Sequence, residues 1–315
     1  MKADKLNAVV TLVNRISPWL MVLQVVPDAW TFPDFTPGQY VTVGLPVGAA
    51  RCSLAEPESV QADPEHIIRR AYCIASSAAN REFLEFYIHL VPHGALTPRL
   101  FALKIGDRVA LTDRVTGSFT FDHVPEDANV VLIATGTGLA PYVSMISTHL
   151  RFSAQRRVAV VHGVRNSWEL GYRSILMTMQ HLRTNVTYLP VVSRPADEPT
   201  PWNGATGHVQ EIWKGRAMEE AWGRRPTPED THVFLSGSPH MIDDMAARLA
   251  EEGYREHSER GAGQIHIERY WLASPNRSHG DQTATVDLSA RRSEPAGSET
   301  AKETTLVTGA KDGEA

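Results

Sequence analysis

Cysteine is nearly absent: the 315 residues contain only Cys52 and Cys73, and no C-x-x-C pair. That excludes a self-contained iron–sulfur cluster or a Cys-rich zinc site and fits a reducing compartment. A basic excess is also missing. The 31 Lys and Arg face 36 Asp and Glu, a formal net charge of -5, which argues against nucleic-acid binding. No apolar run reaches transmembrane length. The opening "MKADKLNAVVTLVNRI" meets Asn14 and Arg15 before any apolar segment long enough for a secretory signal. The expectation is a soluble, cytoplasmic protein with no nucleic-acid or membrane partner. Residues 273–315 lack aromatics and are dominated by Ala, Ser, Thr, Glu and Gly. Such a composition cannot bury enough apolar surface to offset ordering entropy, so a disordered tail is expected there.

What remains is ordinary globular material, 42% hydrophobic and 21% charged, long enough for two domains. The first part reads as short β-prone runs: "NAVVTLVNRI", "LMVLQVVP", "QYVTVGLP", "RRAYCIAS", "LEFYIHLV" and "DRVALTDR". Turn residues such as Pro37-Gly38 and Gly106-Asp107 separate them, the signature of a small antiparallel β-barrel. The polar stretch Ala49 to His66 reads as a surface loop. From Asn129 the rhythm changes. Continuously apolar strands ("NVVLIAT", "RVAVVHGVR", "VTYLPVVSR", "HVFLSGS", "QIHIERYW") alternate with helical stretches ("APYVSMISTHL", "SWELGYRSILMTMQHL", "HVQEIWKG", "PHMIDDMAARLAEEG"). Strands buried on both faces and separated by helices define a doubly wound, parallel α/β domain. The expected division is 1–125 for the barrel, 126–272 for the α/β domain and 273–315 for the tail.

In an open α/β sheet, ligands bind beyond the carboxyl ends of the strands. Those ends carry Thr135-Gly136-Thr137-Gly138, Gly163-Val164-Arg165, Ser193-Arg194 and Ser236-Gly237-Ser238. Glycines and hydroxyls let phosphate approach backbone N–H groups, and two arginines arrive at the same rim. No acidic residue immediately follows the second strand, where a ribose 2′-hydroxyl contact would stand. Arg165 and Arg194 favour a 2′-phosphate instead. The loop at Gly136 looks like G-x-G-x-x-G with Pro141 in the third glycine's place. In the barrel half, Arg70 and Tyr72 are two apart on a strand and share one face. An arginine there fits a pyrophosphate, and a tyrosine beside it fits an aromatic ring system. Gly94, Leu96 and Thr97 mark a loop-to-helix transition suited to phosphate. His89 and His93 are four apart, but Pro92 lies between them in a strand-then-loop context, so no metal site is assigned.

Together these residues reach a known pattern. Arg70-Ala71-Tyr72-Cys73 resembles the R-x-Y-S flavin motif of the bacterial ferredoxin/flavodoxin–NADP+ reductase family. Thr135 to Pro141 resembles its G-T-G-x-x-P nucleotide loop, in which the proline belongs. Ser236-Gly237-Ser238-Pro239-His240-Met241 resembles its C-G-x-P-x-M segment, and "HIERYW" resembles its chain terminus. The resemblance spans residues 5–272 and implies an FAD-binding antiparallel barrel followed by an NADP-binding α/β domain. It implies that Arg70 contacts the FAD pyrophosphate, Tyr72 stacks on the isoalloxazine, and Cys73 lies beside flavin N5. Ala71 belongs to the same cofactor-binding motif. Gly94, Ala95, Leu96 and Thr97 would hold the FAD phosphates, and Tyr87, Ile88, His89 and Leu90 would line the ribityl chain. Thr135 would touch the flavin at the domain junction. Tyr270 would cover the flavin where nicotinamide enters, and Trp271 would stack on adenine. Gly138, Arg165, Ser193, Arg194 and His208 fall to NADP(H). Tyr72, Cys73, Ser236, Glu268 and Tyr270 fall closest to the chemistry.

Three positions depart from the family pattern: Cys73 for serine, Ser236 for a frequent cysteine, and His208 for a frequent second arginine. The activity implied is hydride transfer from NADPH to FAD, followed by single-electron transfer to ferredoxin or flavodoxin by a monomer. Arg51, Arg69, Arg81 and Arg99 would suit an acidic carrier if they ring the flavin edge, and are scattered solvated arginines otherwise. Two alternatives stand beside this reading. One is an NAD(P)H reductase serving an oxygenase or free flavin; the other is a flavoprotein sensor or assembly subunit without turnover.

Overall fold

The computed structural model describes residues 6–58, 63–149, 156–258 and 261–269. Tyr270, Trp271 and the segment 273–315 lie outside the described residues.

The six expected barrel strands form β1 (Ala8–Ser17), β2 (Leu20–Pro27), β3 (Tyr40–Pro46), β4 (Ile67–Cys73), β5 (Leu84–His89) and β6 (Arg108–Leu111). They pair antiparallel in the order β4-β3-β6-β1-β2-β5. The sheet curls until its ends approach, where Ala75 N–H donates to the Glu85 carbonyl at 2.8 Å. Val10, Leu23, Val41, Val43, Phe86 and Ile88 fill the interior, each on the inward side of a period-two alternation. A four-residue helix, α1 (Thr97–Leu100), packs Leu100 into that interior.

The second unit is all parallel. Strands β7 (Asn129–Thr135), β8 (Val158–Val164), β9 (Val186–Val192), β10 (Ala205–Thr206), β11 (Thr231–Ser236) and β12 (Ile265–Glu268) pair in the order β10-β9-β8-β7-β11-β12. Helices α2 (Ala140–Thr148), α3 (Arg173–Leu182), α4 (Val209–Lys214), α5 (Ala217–Trp222) and α6 (Pro239–Glu251) connect them. β10 and α5 were not foreseen, because two residues and one short amphipathic turn carry no readable period. The stretch 167–182, read as one helix, is instead a 3-10 turn at Ser167–Glu169 followed by α3. Gly171 interrupts it, wedged where a Cβ would lie 2.4 Å from Ile16 Cδ1. No described helix is long and apolar enough to cross a membrane.

A shared apolar core joins the two sheets. Leu20, Val22, Cys73 and Tyr87 of the barrel meet Leu132, Tyr142 and Phe234, and Phe119 and Val124 from the connecting segment join them. Beside it, four histidines, His123, His232, His257 and His266, are stacked. His123 and His257 ring centres are 4.7 Å apart, His257 and His266 5.0 Å, and His266 lies 4.3 Å from Phe234. His232 Nδ1 and His266 Nε2 share a hydrogen bond of 2.9 Å. Burial and the neighbouring His232, His257 and His123 push His266 down to about 3. Burial, His257 and Arg156 lower His232 too.

This stack gives the fold a pH limit. An unfolded histidine takes up its proton near 6.5, whereas folded His266 resists until about 3. Stability is therefore full above the unfolded value and falls as pH drops between those limits, by about 1.4 kcal/mol per pH unit for each such proton. Urea denaturation from pH 7 to 4 should show this loss. His266→Phe, which keeps a ring on Phe234, should reduce the slope by about one proton.

Candidate active site between the two sheets

The loops after β7 and β11 form the floor of the site. Gly138 packs so closely on β11 that a Cβ would stand 2.5 Å from the Ser236 carbonyl oxygen. Gly237, at φ +134°, faces back: its Cβ would lie 2.2 Å from the Thr135 hydroxyl. That hydroxyl accepts a hydrogen bond from Ser238 N–H at 2.8 Å, and Ser238 in turn caps α6 by accepting from Met241 N–H at 3.2 Å. Pro141 falls in the first turn of α2, where its missing N–H costs nothing. His162, wholly buried on β8, bonds the Gly136 carbonyl at 3.0 Å, and burial lowers it to about 4. The sequence reading missed His162, which anchors the loop as a neutral ring.

Above this floor opens one cleft of about 1620 Å³, lined by both domains. From the barrel come Arg70, Ala71, Tyr72 and Cys73, with Tyr87, Ile88, His89, Leu90 and Thr97. The Tyr72 hydroxyl is buried without a hydrogen-bond partner among the described residues, and burial raises its pKa. His89 Nε2 is likewise unpartnered; burial first, then Arg165, lowers its pKa. Ile88 and Leu90 point into the barrel interior, so they offer the cleft main chain. The loop expected to hold phosphate reaches the cleft only through Thr97, and Gly94, Ala95 and Leu96 do not line it. Leu96 is buried in the barrel core, and the Thr97 hydroxyl is turned onto Val91, accepting from its N–H at 2.9 Å.

The opposite wall belongs to the α/β domain. The loops after β8 and β9 are joined where Arg194 N–H donates to the Arg165 carbonyl at 2.9 Å and Ser193 N–H to that of Val164 at 2.9 Å. Arg165, Ser193, Arg194 and His208 all line the cleft there. Arg165 is paired with Glu169 at 3.8 Å; Arg194 is exposed and makes no ion pair among the described residues. His208 caps α4, its backbone N–H donating to the Glu211 carboxylate at 3.2 Å. Two arginines on one wall of the cleft, only one of them paired with a carboxylate among the described residues, suit a ligand of more than one negative charge.

Glu268, at the carboxyl end of β12, also lines the cleft, and burial lifts its carboxyl to about 7. It stands near enough to Tyr142 to help raise that phenol, after burial and ahead of Cys73. Ser236 pairs with Glu268 in register but is fully buried and does not line the cleft. Its side chain falls on the inner side of β11, and Gly138 covers its carbonyl.

Arg51, Arg69, Arg81 and Arg99 do not line the cleft. Arg99 is only 3% exposed and grips Glu58 at 2.7 Å, while Arg51 meets the same carboxylate at 3.1 Å. Hydrogen bonding from Arg99 holds Glu58 below its usual range despite burial. Two of the four cations thus pin the 49–66 loop to α1, so the loop is partly structural. Arg81 is exposed and paired with Asp34 at 2.9 Å. Trp19 and Trp168, one from each domain, also line the cleft at about 40% exposure, 40% and 41%. Single tryptophans in turns gave no periodic signal for the sequence to reveal.

An antiparallel barrel joined to a parallel α/β domain, with arginines on both walls of a shared cleft, defines a two-domain nucleotide-dependent reductase architecture. A family profile, Oxidoreductase NAD-binding domain, matches residues 132–247. Flavodoxin/ferredoxin–NADP reductases of Shigella flexneri and Escherichia coli (strain K12) are each 30% identical over 243 residues, 77% of this chain and 88% of theirs. A solved ferredoxin NADP+ reductase from Neisseria gonorrhoeae, with bound FAD and NADP, superposes with a TM-score of 0.69 at 24% identity. It covers 83% of this chain and 97% of its own. The chain belongs to the flavodoxin/ferredoxin–NADP reductase family.

The floor geometry sorts two glycines by cost. Gly136 has φ +54° but open space beyond it, whereas Gly237 has both positive φ and the Thr135 hydroxyl at 2.2 Å from its missing Cβ. Gly136→Ala should cost about 1 kcal/mol, and Gly237→Ala about 3 kcal/mol or more, strain and overpacking together. Urea midpoints of the two variants measure the difference; equal costs would mean the loops separate freely.

Proposed function

We propose that the protein is an FAD-dependent oxidoreductase that passes electrons between NADPH and ferredoxin or flavodoxin. The carrying observation is the cleft whose barrel wall includes Arg70 and Tyr72 while its other wall includes Arg165 and Arg194. The donor set fits both nucleotides: cations for diphosphate and 2′-phosphate, and a tyrosine ring for a flavin. FAD, when bound, supplies the chemistry, accepting a hydride and releasing electrons singly.

The chain's own residues bind, orient and manage the proton. In this reading residues 1–125 hold FAD and 126–272 hold the coenzyme. Arg70 neutralises the FAD pyrophosphate, Tyr72 lies against the ring system, and Cys73 stands beside the reacting edge with a weaker hydrogen bond than serine would give. Arg194, Arg165 and His208 receive the coenzyme 2′-phosphate, and Gly138 lets the dinucleotide approach the floor. The protein works as a cytoplasmic monomer that meets its carrier transiently. When the two electrons of a hydride leave one at a time, its proton remains. Glu268, a carboxylate above about pH 7, is the group that accepts it.

Denaturing the purified protein and analysing the released cofactor tests the reading; FAD is expected, and FMN or no flavin under cofactor-replete expression overturns it. NADPH-driven reduction of a one-electron artificial acceptor should rise as pH passes about 7, the value to which Glu268 is lifted. Glu268→Gln should remove that inflection, and an unchanged profile would exclude Glu268 as the proton acceptor.

A further inference from the structure

One contact between the domains is polar and directional. Glu85 and Tyr87 are two apart on β5, on the side opposite Phe86 and Ile88, which fill the barrel. The turn after β8 folds back onto them. Tyr87 donates its hydroxyl to the Glu169 carbonyl at 2.9 Å and accepts from Gly171 N–H at 3.1 Å. Tyr172 donates to Glu85 Oε1 at 2.6 Å, and Gln24 Nε2 donates to Glu85 Oε2 at 2.7 Å. The two tyrosine rings meet edge to face at 5.0 Å. Gly171 packs directly on Tyr87: a Cβ there would lie 2.8 Å from the Tyr87 hydroxyl oxygen.

The same turn carries part of the coenzyme wall. The Glu169 carboxylate accepts from Arg165 N–H at 3.0 Å and pairs with its guanidinium at 3.8 Å. Arg165 and Trp168 both line the cleft. Main chain held by the barrel's Tyr87 is therefore one residue's length from the carboxylate that sets Arg165. A guanidinium on an exposed loop would otherwise sample many rotamers, and ordering it in advance removes that cost from binding.

We propose that this two-tyrosine clasp sets the coenzyme site from the barrel side, with Tyr172 and Glu85 as positioning residues for Arg165. The proposal rests on the reading above, in which Arg165 receives the coenzyme 2′-phosphate. Barrel and coenzyme affinity are then linked through a chain of defined contacts rather than through general packing.

The test measures NADP+ and NAD+ dissociation constants on the FAD-loaded protein for wild type, Tyr172→Phe, Arg165→Ala and the double variant. Tyr172→Phe should weaken NADP+ by about 2- to 30-fold, the span over which packed networks couple two sites. NAD+ affinity and flavin content should hold, and Tyr172→Phe should add nothing once Arg165 is alanine. Glu85→Gln keeps an acceptor for Tyr172 and should stay near wild type, whereas Glu85→Ala should copy Tyr172→Phe, giving a second route if that variant folds poorly. Unchanged NADP+ affinity, equal losses for both coenzymes, or full additivity with Arg165→Ala would each overturn the clasp's role. Wild type that binds NADP+ no better than NAD+ and is indifferent to Arg165→Ala would instead defeat the reading of Arg165 itself.

Discussion

The loops after β7 and β11 touch through Gly138, Gly237 and the Thr135 hydroxyl, and the rest of the cleft is built on that contact. With no Cβ on either glycine, two strand ends close to main-chain distance and form a floor on which a dinucleotide can lie. The constraint propagates in both directions. Ser238, fixed by Thr135, caps α6, and His162 ties Gly136 to β8. A side chain at either glycine would part β7 from β11, and with them the shared core beneath.

A transfer between two nucleotides requires their reacting rings to be held in one geometry, and misplacement by an ångström is expensive. Both domains therefore contribute to one cleft and are fixed to each other beside it. The apolar cluster around Cys73, Leu132 and Phe234 supplies non-directional adhesion, while the tyrosine contacts supply direction. Burial has an electrostatic consequence as well: it lifts Glu268 to about 7. A carboxyl placed there can change protonation during turnover near neutral pH, which a solvated one could not.

Much of this was legible in the chain itself. The apolar runs of the parallel sheet and the alternation of the barrel strands reflect burial on two faces and on one. Arg70 and Tyr72 share a face because of the strand period, and the glycine spacing around Pro141 reads as a nucleotide loop because α2 tolerates proline in its first turn. What failed to show depends on partners far away in sequence. Arg99 reads as a solvated cation, yet it is buried against Glu58, 41 positions earlier. Gly171 sits inside a stretch with helical spacing, and only the approach of Ile16 and Tyr87 explains it. Ser236 stands at a strand end where ligands bind, but the pleat turns its hydroxyl inward. The histidine stack draws on four separated segments, none with a local signature.

If the cleft brings a flavin and a reduced nicotinamide together, electrons pass between them without a further component. Anaerobic titration of the purified, flavin-loaded protein with NADPH, followed through the visible flavin absorption, tests it most directly. The flavin band should bleach on mixing, with less than full response to the same concentration of NADH. A flavin band that persists under excess NADPH would contradict it.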